Sequence, residues 1–61
     1  MFRNKSPEVL VRYQGRWVRG RMIDTVSDID GLWQGLVRFT PADGQRRCEW
    51  HHAADLRPTV R

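Results

Sequence analysis

Apolar and polar side chains alternate along most of this chain, and the alternation breaks at a few glycine-rich or aspartate-rich points. A period of two puts one set of side chains on each face of an extended strand. Glu8-Val9-Leu10-Val11-Arg12-Tyr13 predicts a first strand, with Val9, Val11 and Tyr13 on one face and Leu10 and Arg12 on the other. Gln14-Gly15 predicts a tight turn, because glycine accepts the positive φ that two-residue hairpins need. Arg16 to Thr25 predicts a second strand, with Val18, Gly20 and Met22 sharing one face and Trp17, Arg19, Arg21 and Ile23 the other. Gly20 in mid-strand signals a bend or a close backbone approach.

Asp24, Asp28, Asp30 and Gly31 bring loop chemistry, which places a loop at Val26 to Leu32. Trp33 to Thr40 predicts the third strand, again with a central glycine, Gly35. Pro41-Ala42-Asp43-Gly44 is a turn signal, and Gln45 to His51 predicts the fourth strand. His52 to Asp55 loses the alternation and reads as one helical turn, after which Leu56-Arg57-Pro58 forms a short last strand stopped by proline. Residues 1–7 and 59–61 read as tails, so the folded domain spans residues 8–58. Trp33 and Trp50 sit in apolar surroundings and are expected in the core. Five short strands with one helical turn before the last predict an all-β fold, a small closed five-stranded barrel.

Length and charge sharpen this picture. Sixty-one residues make one domain with a thin core. Cys48 is the only cysteine, so no intrachain disulfide staples the fold. No segment reaches the roughly 20 apolar residues of a membrane span. No signal-peptide-like apolar run opens the chain, and a soluble, cytoplasmic monomer is expected. Eleven basic and seven acidic side chains leave a net charge of +4, and Lys5 is the sole lysine. Arginine offers a flat fork of donors suited to phosphate, carboxylate and aromatic faces. A GC-rich coding sequence also favours arginine over lysine, so the number of arginines does not by itself identify a partner.

The order of residues resembles the Tudor and agenet group of SH3-like barrels. The resemblance runs through Val11-Arg12-Tyr13, Gly15-Arg16-Trp17-Val18-Arg19-Gly20, Leu36-Val37-Arg38-Phe39, Asp43-Gly44 and Ala54-Asp55-Leu56-Arg57-Pro58. It covers residues 8–58 and is one of pattern, without a single defining motif. Many Tudor domains hold a methylated lysine or arginine between aromatic rings, whose faces attract the cation. The resemblance implies Tyr13, Trp17 and Phe39 as cage walls with Asp43 at the lip. The fourth wall would fall in Pro41-Ala42-Asp43, where this chain has no aromatic.

Arginines and aromatics on one strand face suggest a binding surface rather than a catalyst. Arg19, Arg21 and Arg38, with Trp17 and Tyr13 as stacking partners, are the candidates for binding nucleic acid or another polyanion: phosphates pair with guanidinium groups and bases stack on rings. A peptide, methylated or not, at the rim of Tyr13, Trp17 and Phe39 is the alternative. A further one is docking on a larger assembly through Ile29, Leu32 and Trp33. Cys48, His51 and His52 fall short of the four ligands of a structural zinc site, and adjacent strand residues point apart. Asp24, Asp28 and Asp30 lack the spacing of a calcium loop. No phosphate loop or catalytic constellation is visible, and no cofactor or enzyme activity is expected.

Overall fold

A computed structural model describes residues 7–59. Apart from Pro7 and Thr59, the expected tails lie outside the described residues. The strands are β1 (Glu8–Tyr13), β2 (Arg16–Ser27), β3 (Trp33–Phe39), β4 (Arg47–His52) and β5 (Leu56–Pro58), with a 3-10 turn, Ala53–Asp55, between the last two. They form one antiparallel sheet in the order β4-β3-β2-β1-β5. The fold is all-β, as the alternation predicts. Strands β4 and β5 are the two ends of the ladder and do not pair with each other, so hydrogen bonding leaves the sheet open.

Turn chemistry accounts for the boundaries. Tyr13 pairs with Arg16, and the two residues between them, Gln14 at φ 52° and Gly15 at φ 78°, take the positive angles of a type I′ hairpin. The second loop is shorter than expected, and β2 runs on to Ser27. One side chain explains this: the Asp28 carboxylate accepts the N–H groups of Asp30 at 2.9 Å and Leu32 at 3.0 Å. That closes the turn within five residues and leaves Val26 and Ser27 free to pair with Gln34 and Trp33. Strand β4 starts at Arg47, later than expected, because the Asp43 carboxylate takes the Gln45 N–H at 2.9 Å.

The inner face carries the core. Val9, Val11, Val37 and Phe39 are buried, with Tyr13, Val18, Met22 and Leu56 packed around them. The expected faces of β1 and of β2 as far as Met22 follow from the register. A bulge then intervenes between Met22 and Asp24. It turns Asp24 to the face of its partner Leu36, away from the side of Val37, so no carboxylate enters the core.

The two tryptophans expected in the core are not there. Trp50 is 45% exposed and Trp33 37%. Trp50 lies opposite Leu36 on the outer face, while the inward positions of β4 belong to Arg47, Glu49 and His51. Trp33 opens β3 opposite Ser27 and lines an apolar groove at the margin of the core with Val9, Met22 and Leu56.

The mid-strand glycines are sites of close approach. A Cβ on Gly20 would lie 2.9 Å from the Arg38 carbonyl oxygen, the Phe39 Cβ and a Val37 methyl. On Gly35 it would meet Met22 Sδ at 2.6 Å and a Leu56 methyl at 3.0 Å. The first set includes backbone, whereas the second consists of flexible side-chain ends. Gly20→Ala should therefore cost about 1–3 kcal/mol, or roughly 5 to 20 °C in Tm for a domain of this size. Gly35→Ala should cost less than half as much. Thermal melts followed by circular dichroism measure both, and equal melting of Gly20→Ala and the native chain would show that β3 has room to retreat.

Candidate nucleic-acid interface

Residues opposed across a sheet ladder share a face, with Cβ atoms about 5 Å apart. Arg21 of β2 and Arg38 of β3 are opposed in this way on the outer face. The register thus places two of the three candidate arginines side by side. Arg19 stands two residues along the same face of β2, and its Nε lies 3.7 Å from the Glu8 carboxylate. All three line one groove of about 640 Å³, together with Glu8, Thr40 and Arg46. Four guanidinium groups face one carboxylate there. Arg38 and Arg46 form no ion pair with a described residue. The pairing of Arg46 with this site was not legible in the sequence, because Arg46 reaches it from the β3–β4 connection rather than from a strand.

Tyr13 and Trp17 line a second groove of about 350 Å³, with Arg16, Val18, Pro41 and Asp43. Neither ring is bare. The Arg57 guanidinium lies 3.9 Å from the centroid of the Trp17 ring and that of Arg12 5.8 Å. Arg12 is itself held by Asp55, whose Oδ1 accepts from Nε at 3.3 Å and Nη2 at 3.1 Å. Arg47 covers Tyr13 at 5.2 Å. Part of the arginine content thus stacks on rings, a use of guanidinium that strand alternation alone does not reveal.

Phe39 does not stand beside the other two rings as a cage wall. It is 3% exposed, with the rings of Tyr13 and His51 edge-on at 5.3 and 5.6 Å. Its inward position over Gly20 seals it in the core. Tyr13, Trp17 and Asp43 do converge on one groove, but with two rings rather than three. Asp43 is also engaged there, 3.8 Å from Arg47.

The remaining chemistry is dispersed. Cys48 opposes Arg38 on the outer face, whereas His51 lies on the inner face, 3.4 Å from Glu49. A thiol and an imidazole on opposite faces cannot exchange a proton. Among the described residues no group of three metal-ligating side chains converges, and no helix is long and apolar enough to cross a membrane. Ile29 at the tip of the β2–β3 loop is 99% exposed, and Leu32 beside it is exposed as well.

No family model, curated protein or solved structure matches the chain.

Like charges directly opposed across a ladder destabilise the sheet. Arg38→Glu makes the pair with Arg21 an opposite-charge one, so it should stabilise the fold by about 0.2–1 kcal/mol, a few degrees in Tm at low salt. The gain should shrink in 1 M salt as screening removes it. Thermal melts at both salt concentrations read the effect, and a lower Tm for Arg38→Glu at low salt would show that the two guanidinium groups do not repel.

Proposed function

We propose that this chain is a non-catalytic binding module that takes nucleic acid, or another polyanion, in the groove of Arg19, Arg21, Arg38 and Arg46. One observation carries the reading: two arginines are opposed across adjacent strands, with two more on the same groove. Like charges opposed across a ladder cost stability, although Arg21 also stands opposite Glu8 of β1. A phosphate between the guanidinium groups turns the repulsion into charge-assisted hydrogen bonds.

The sheet would present this groove as part of a small SH3-like barrel of Tudor type. Support comes from β2, which pairs with β1 through its first half and with β3 from Gly20 onward. A strand shared in this way, with a bulge and a side-chain-free crossing at Gly20, is suited to strong coiling. The single, exposed thiol of Cys48 accords with a reducing, cytoplasmic setting. Peptide capture in an aromatic cage is the weaker reading, since Phe39 is buried.

Fluorescence anisotropy with a labelled oligonucleotide tests the proposal. Neutralising about three phosphates predicts a fall in affinity of roughly 20- to 40-fold between 50 and 200 mM salt. Arg38→Ala should weaken binding and lower the salt slope by about one. Affinity that stays flat across that range, or an unchanged slope in Arg38→Ala, would remove the arginine groove from the explanation.

A further inference from the structure

The first half of β2 is paired on one side only. Trp17, Val18 and Arg19 lie opposite Arg12, Val11 and Leu10 of β1. Strand β3 joins on the other side only at Gly20, opposite Phe39. Past Phe39 the chain leaves the sheet as the connection of residues 40–46. Both grooves lie between that connection and the unpaired flank of β2. Val18 and Pro41 line the aromatic groove, and their chain neighbours Arg19 and Thr40 line the cationic one. The two therefore meet end to end as one trough. Trp17 and Arg21 mark its ends, about 13 Å apart at 3.3 Å per strand residue.

The ends suit different chemical groups. At one, four guanidinium groups converge on groups with phosphate charge. At the other, Tyr13 and Trp17 are half-buried rings, each with a guanidinium over one face. There the Asp43 carboxylate, although 3.8 Å from Arg47, disfavours a second phosphate and can accept an N–H. A nucleobase meets both conditions, with a π face for the ring and N–H donors on its edge. In a duplex, bases are stacked and paired, so it offers phosphates to the cationic end and nothing to the aromatic one. We infer that the trough takes a single-stranded nucleic acid, with its phosphates at Arg21, Arg38 and Arg46 and one unstacked base against the part of the Tyr13 ring left open by Arg47. This rests on the polyanion reading above and goes beyond it in naming the strand state and in giving Tyr13 a separate role.

Three ligands of equal phosphate number separate the two ideas on the native protein: a mixed-sequence single strand, its duplex, and an abasic single strand. At one salt concentration the single strand should bind more tightly than either of the others by about 5- to 150-fold, the worth of one stacked base. Tyr13→Leu, which keeps apolar bulk against Phe39, should erase that advantage and leave abasic binding unchanged. Equal binding of all three ligands would overturn the single-strand inference and leave the polyanion reading standing, as would an advantage that survives Tyr13→Leu. Binding of none would overturn both. The ligand comparison needs no variant, so poor folding of Tyr13→Leu cannot shelter the inference.

Discussion

Phe39 lies over β2 only because residue 20 has no side chain, and the rest of the molecule follows from that contact. A Cβ at Gly20 would be 2.9 Å from backbone and side-chain atoms of β3. Where they cross, the two strands thus approach more closely than ordinary side chains permit. Val37 and Phe39 reach the core through this approach, beside Val9 and Val11 of β1. A domain of this size buries only about 60% of the surface its unfolded chain exposes, so losing a single close contact removes a large part of what holds it.

The same crossing creates the candidate site. Strand β3 meets β2 at Gly20 and turns away after Phe39, so the flank of β2 before Gly20 has no neighbour in the sheet. Both grooves open along that flank. The crossing also fixes the register that sets Arg21 opposite Arg38. Core and cationic groove are thus two consequences of one contact, one on each face of the sheet.

Much of the fold was legible because alternation and turn chemistry agree. Strands β1 and β5 fall where the pattern puts them, and Gln14-Gly15 and Asp43-Gly44 turn the chain as their residue types require. The reading failed where one side chain outweighed the pattern. Asp28 shortened a loop that its composition made look long. In β4 the apolar-inward assumption placed Trp50 in the core, yet register against β3 turned Arg47, Glu49 and His51 inward. Period-two patterning separates two faces without saying which is buried, and a strand as polar as β4 supplies no second cue. Of the candidate site, Arg19, Arg21 and Arg38 were found together because neighbouring strands carry them. The arginine coats on Trp17 and Tyr13 were missed, because Arg57 and Arg47 come from distant parts of the chain.

Position decides what the arginines mean where their number cannot. Codon bias raises the arginine count everywhere on the surface, but it does not choose partners. Arg12, Arg47 and Arg57 each have a structural use, on a ring, a carboxylate or both. Arg38 and Arg46 have no such ion pair with a described residue, and Arg38 is set against a like charge. Bias alone would leave an unused arginine anywhere solvent could hold it, including the long exposed end of β2. Arg38 and Arg46 share the groove that also holds Arg19 and Arg21, whereas Arg16, equally without an ion pair to a described residue, lines the aromatic groove. The opposed pair of Arg21 and Arg38, close to the flank of β2 that β3 leaves unpaired, is the observation on which the proposed phosphate-binding reading rests.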